Sequence, residues 1–100
     1  MLNVTASPSF SRMAKKWHAK DKKVLDDAIQ WIAEHHQSGE EKKGDLAGVY
    51  VYKFKLNQQD TLLAYELKPD KFKPSELVLL AVGPHENFYA ALKRQAEPRI

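Results

Sequence analysis

GVYVYKFKL, residues 48–56, reads with a period of two. Tyr50, Tyr52, Phe54 and Leu56 fall on one side of an extended chain, and Val49, Val51, Lys53 and Lys55 on the other, because successive side chains of a strand point to opposite faces. The aromatic side needs a cover, and the residues before it supply one. Val24, Leu25, Ala28, Ile29, Ile32 and Ala33 recur at three- and four-residue intervals, which predicts a helix with one apolar face. Asp21 is placed to cap its start, and Ser38-Gly39 ends it. Further upstream, Ser7 and Pro8 offer a cap and a first helical residue. Phe10, Met13, Ala14 and Trp17 follow at helical spacing, so a first helix is expected over 8–18. Two helices joined by a few residues pack as an antiparallel hairpin, with the aromatic strand face as core beneath it.

Downstream, NQQD (57–60) forms a polar turn into TLLAYEL (61–67). The proline-punctuated KPDKFKPS leads to ELVLLAV (76–82), apolar enough for a central strand. LNVTAS (2–7) reads as a short opening strand, and 86–95 as a closing helix. The expected order is β-α-α-β-β-β-α, an α+β domain with a helical hairpin packed on a mainly antiparallel four-stranded sheet. One hundred residues make this a single domain, 1–100, with one modest core.

At 43% hydrophobic and 29% charged, the composition is that of a folded domain rather than a disordered chain. No apolar run reaches the ~18–20 residues that span a bilayer, so no membrane partner is expected. MLNVTASPSF lacks the basic-then-apolar pattern of a secretion signal, and the expected location is the cytoplasm. With no cysteine, disulfides and thiolate metal sites are excluded. The net charge of +3 is unevenly spread. Arg12, Lys15, Lys16, Lys20, Lys22 and Lys23 face a single Asp21 between residues 12 and 23, and Lys42, Lys43, Lys53 and Lys55 follow. Such a surface suits a polyanion, either a nucleic acid or an acidic protein.

Chemistry concentrates near the end of the chain. In VGPHENFYAALKR (82–94) a strand stops at Gly83-Pro84 and at once presents His85, with Tyr89, Lys93 and Arg94 on the helix that follows. His35 and His36 are adjacent on a helix and point about 100° apart, so they cannot share a metal. No helical histidine pair at four-residue spacing exists to build a zinc site. GDLAG (44–48) lacks the Lys-Ser/Thr of a phosphate loop and the spacing of a dinucleotide fold. Its glycines read as backbone freedom at the start of a strand. No metal and no small-molecule cofactor is expected.

The element order, with GDLAG before the second strand, Tyr65 in the third and GPHENFY leaving the fourth, resembles the RelE/ParE superfamily of bacterial type II toxins. The Gly83, His85 and Tyr89 spacing looks most like the histidine-bearing branch related to YafQ and HigB. The resemblance implies a toxin neutralised by a cognate antitoxin. In the nuclease branch, it implies entry into the ribosome and cleavage of mRNA without metal.

That chemistry must deprotonate a 2′-hydroxyl, stabilise the charge on the phosphorane and protonate the 5′-oxygen. On this implication His85 is the acid or base, since an imidazole titrates near working pH. Lys53 supports the phosphorane charge, and Tyr89 stacks on a base or assists proton transfer. Lys55, Lys93 and Arg94 contact RNA phosphates. The sequence departs from the family pattern where arginines are expected: Val51, Leu62 and Ala81 stand at three such positions. That departure keeps two alternatives open, a ParE-like inhibitor of DNA gyrase without nuclease activity, and an inactive member acting only with its antitoxin.

Overall fold

The computed structural model describes residues 2–86 and 88–96, excepting the side chains of 91 and 94–96. Strand β1 (Asn3–Ala6) leads into helix α1 (Pro8–Lys15) and helix α2 (Ala19–Glu34). Strand β2 (Glu40–Glu41) and a 3₁₀ turn (Gly44–Leu46) precede β3 (Val49–Leu56), β4 (Gln59–Lys68), β5 (Glu76–Pro84) and helix α3 (Phe88–Ala96). The strands lie in the order β1-β5-β4-β3-β2. β1 runs parallel to β5, and every other neighbour is antiparallel. This is the expected α+β architecture with one more strand. The addition, β2, pairs Glu40 and Glu41 with Val51 and Tyr50. Two glutamates carry no strand signal, so only pairing with β3 reveals it.

The period of two along β3 divides the interior into two cores. Tyr50 is buried and stacks on Tyr65 with ring centroids 5.5 Å apart. Tyr52 and Phe54 pack beside it on the cluster formed with Phe10, Leu25, Ala28 and Ile32 of the two helices. Val49 and Val51 face the other way, into a second cluster with Leu46, Leu62, Ala64, Ala81, Phe88 and Leu92. Both sheet faces are therefore covered, one by α1 and α2, the other by α3 and the 3₁₀ turn.

Local signals explain most element boundaries. Ser7 Oγ accepts from Phe10 N at 3.1 Å, with Pro8 in the first turn, the arrangement read from SPSF. Helix α1 stops at Lys15 rather than 18, because His18 is extended and stands at the N-cap position of α2. Asp21 is therefore not the cap. It lies in the first turn, where a carboxylate meets the positive end of the helix, and Oδ1 accepts from Asn57 Nδ2 at 3.3 Å. The β3–β4 connection is tighter than the expected four residues. Asn57 and Gln58 form it alone with φ of 51° and 67°, the mirror-image turn whose twist matches the hairpin. The ladder thus continues through Lys55–Asp60 and Leu56–Gln59.

The passage from α2 to β2 is pinned from the core. Tyr65 is fully buried, yet its hydroxyl donates to His36 O at 2.7 Å and accepts from Gly39 N at 3.0 Å. A Cβ at residue 39 would lie 2.7 Å from that oxygen, so the position admits only glycine without a shift. Burial raises the Tyr65 phenol from 10.0 to about 12, partly offset by the Gly39 N–H.

Only the neutral phenol can donate to His36. Because the folded-state pKa exceeds that of the free chain, its stabilising contribution is complete below pH 10 and fades as pH rises toward 12. Tyr65→Phe is expected to lower stability at pH 7 by about 1–3 kcal/mol. The gap between wild type and variant, measured by urea unfolding, is expected to narrow above pH 10.

Candidate functional site

The site is organised by α3. Phe88 and Leu92, four residues apart on one side of this helix, insert into the second core at 5% and 1% exposure. Tyr89 and Lys93, also four apart, are rotated about 100° from them. Lys93 is exposed and Tyr89 half-buried. Before the helix the chain turns through His85, whose carbonyl accepts from Phe88 N at 3.2 Å. His85 is exposed, and its ring meets Tyr89 edge-on with centroids 5.5 Å apart. Phe88, also edge-on at 5.2 Å, supports the Tyr89 ring from the core side.

A third group completes the cluster. Lys42 Nζ stands 5.4 Å from the centre of the Tyr89 ring and 3.2 Å from Glu40 Oε2. Desolvation draws the Lys42 ammonium down, but Glu40 and Tyr89 outweigh it, and the net pKa is raised. At the start of α3 the Tyr89 ring thus contacts both an imidazole and a held cation. Lys42 had no distinguishing sequence signal beyond its charge. It reaches the site because its N–H bonds Val49 O at 2.8 Å, continuing the β2–β3 pairing.

The remaining candidates are distributed differently. Lys53 and Lys55 continue the Val49–Val51 side of β3 and are exposed. Lys53 pairs in register with Leu62, and Leu62 with Gly83. Two strand spacings, roughly 10 Å, therefore separate the Lys53 and Gly83 backbones. Lys55 Nζ lies 2.6 Å from Asp60 Oδ1. That hydrogen bond and the Lys55 charge hold the Asp60 carboxyl below its ordinary value, with a smaller contribution from Lys53. Among the described residues no hydrogen bond, ion pair or ring contact joins His85 to Lys53 or Lys55. Arg94 belongs to α3, and its side chain lies outside the described residues.

Val51, Leu62 and Ala81, where the resemblance expects arginines, are 7%, 5% and 1% exposed. All three belong to the core shared with Phe88 and Leu92, where they supply packing and no charge. At the other end of the molecule, His35 stacks on Trp31 with centroids 3.9 Å apart, and its Nδ1 lies 3.1 Å from Trp31 O. Among the described residues no helix is long and apolar enough to cross a membrane.

The family model described as the ParE-like toxin of type II bacterial toxin-antitoxin systems matches residues 4–93. A comparison with curated proteins finds no match. Among solved structures, the chain is similar to one from the intact E. coli RelBE toxin-antitoxin complex, with a TM-score of 0.66, 15% identity, and coverage of 86% of this chain and 99% of that one. A free-state double mutant of E. coli RelE gives 0.70 at 14% identity, covering 94% and 96%. Isolated E. coli RelE gives 0.63 at 16%, covering 95% and 99%. At such identities the likeness is one of fold.

Restoring a family arginine here has a clear expected cost. Ala81→Arg would push a long cation under α3, combining overpacking with an unpaired buried charge. The expected loss is at least ~3 kcal/mol, read by chemical denaturation. An arginine accommodated there without loss of stability would contradict the packing described.

Proposed function

The chain belongs to the ParE-like toxins of type II bacterial toxin-antitoxin systems, and we propose that it stops translation by cutting mRNA on the ribosome. One observation carries the proposal: His85 and Lys42 both contact the Tyr89 ring at the start of α3. Those groups match what acid–base cleavage of RNA needs. The 2′-oxygen attacks phosphorus as its proton leaves, and the bond from phosphorus to the 5′-oxygen breaks as that oxygen gains a proton. His85 serves one of these transfers. The Lys42 ammonium, exchanging Glu40 for the substrate, stabilises the charge accumulating on the phosphorane. Tyr89, braced by Phe88, holds a base or relays a proton. Lys53, Lys55 and Lys93 contact flanking phosphates, with Lys55 doing so in competition with Asp60.

The partner in the cell is a cognate antitoxin. The family and the RelBE complex among the structural neighbours support it, and the cations from Arg12 to Lys23 favour an acidic one. A second reading has its own observation. Burial of Val51, Leu62 and Ala81 leaves the site without the expected arginines, as in a ParE-like toxin that binds DNA gyrase and cuts nothing.

Controlled expression in a bacterial host separates the two. Cleavage predicts cut transcripts soon after induction, and His85→Gln or Lys42→Ala should each slow cutting by roughly 10²-fold or more and restore growth. Intact transcripts accompanied by double-strand DNA breaks, with the His85 variant fully toxic, would overturn the nuclease in favour of the gyrase reading.

A further inference from the structure

Three large hydrophobic side chains are exposed among the described residues: Val4, Trp31 and Phe72. Val4 lies on the edge strand β1. Trp31 stacks on His35, and its Nε1 donates to Ser38 Oγ at 3.2 Å. Phe72 is different. It is 82% exposed, and its one ring partner among the described residues is the Lys71 ammonium, 5.5 Å from the centroid.

The loop that carries Phe72 is ordered by its own hydrogen bonds. Asp70 Oδ1 accepts from the backbone N–H of Phe72 at 2.8 Å and of Lys73 at 3.0 Å, which keeps its carboxyl below the ordinary range. Ser75 N donates to Lys68 O at 2.8 Å and closes the loop. Lys71 Nζ reaches both carboxylate oxygens of Glu41, at 3.0 and 3.2 Å. Pro69 and Pro74 bracket the segment and restrict its backbone. The ring is therefore held out in water by a preformed loop.

We propose that Phe72 is a stacking platform for an unpaired base of single-stranded RNA, with Lys73 meeting an adjacent phosphate. Lys71 covers one ring face and is itself neutralised by Glu41, which leaves the other face open to a flat partner. Lys73 has no ion pair among the described residues. An aromatic ring beside an uncompensated cation is the combination that binds unpaired nucleotides without demanding a sequence. A protein-binding anchor would instead sit within an apolar surround, and the immediate neighbours of Phe72 are two lysines.

The placement adds to the site at α3 rather than repeating it. β4 and β5 pair from Lys68–Glu76 at the Phe72 end to Thr61–Pro84 just before His85, a span of roughly 26 Å along the strand, while the Lys71–Glu41 pair sets the loop on the side of the cluster where Lys42 enters. The inference rests on the reading that this toxin works on RNA, and assigns to Phe72 a grip on RNA that enters or leaves the cluster past Lys42.

The test uses the purified full chain and a short fluorescein-labelled oligouridylate with 2′-O-methyl riboses, which binds but offers no hydroxyl for cleavage. Phe72→Ala is expected to weaken binding ~5- to 150-fold in fluorescence anisotropy, with the melting temperature unchanged because the side chain packs on little. Phe72→Trp is expected to bind at least as tightly as the wild type. Equal affinity of Phe72→Ala and wild type would overturn the proposal. So would a Phe72→Ala defect confined to antitoxin binding, which would give the loop to a protein partner. Transcript cleavage is scored separately in induced cells. Normal oligonucleotide affinity of Phe72→Ala alongside wild-type cutting sinks the stacking role and spares the nuclease. A Phe72 defect in a toxin that leaves transcripts whole does the reverse.

Discussion

The structure depends on a sheet whose middle strands are apolar on both faces. Along β4, Leu63, Tyr65 and Leu67 turn to one core while Leu62 and Ala64 turn to the other. Neither face can stay in water, since buried apolar surface contributes about 25 cal/mol per Å². The two N-terminal helices cover the first face. The second is left to α3, a nine-residue helix too short to be stable alone. Phe88 and Leu92 hold it down, and whatever chemistry the protein performs at His85 and Tyr89 inherits its position from those two anchors.

That arrangement explains the distribution of functional groups. Positions pointing from the sheet toward α3 are committed to packing, so Val51, Leu62 and Ala81 have no access to a substrate. Polar groups collect where α3 begins and where an edge of the sheet comes alongside, which is how Lys42 joins Tyr89. The cluster borrows its rigidity from the core. Phe88 is at once an anchor of the helix and the edge-on neighbour of Tyr89.

The cations also differ in availability. Lys55 is paired with Asp60, Lys71 with Glu41, and Lys42 with Glu40. These are surface pairs, and each contributes little to stability. Their consequence is instead for recognition, because a neutralised lysine attracts a polyanion less than an unpaired one. The lysines of α1 and α2 therefore count for more in the long-range field than a tally of charges suggests, and the β3 end of the sheet counts for less.

Much of the fold was legible in the residues. The alternation of GVYVYKFKL placed Tyr50, Tyr52 and Phe54 beneath the helices, and Ser7-Pro8 marked the start of α1, because strand pleat and helix capping are local properties of the chain. The family likeness was likewise carried by element order and a few short motifs. The two-residue turn at Asn57-Gln58 and the start of α2 at His18 were missed because neither carries the usual glycine or side-chain cap. Strand β2 was not legible because pairing with β3 is what makes it a strand. The same holds at the candidate site. His85 and Tyr89 announced themselves by spacing, whereas Lys42 came to them only through pairing of β2 with β3. A side chain's type and period are written in the sequence. Which side chains become neighbours was decided when both faces of the sheet had to be covered at once.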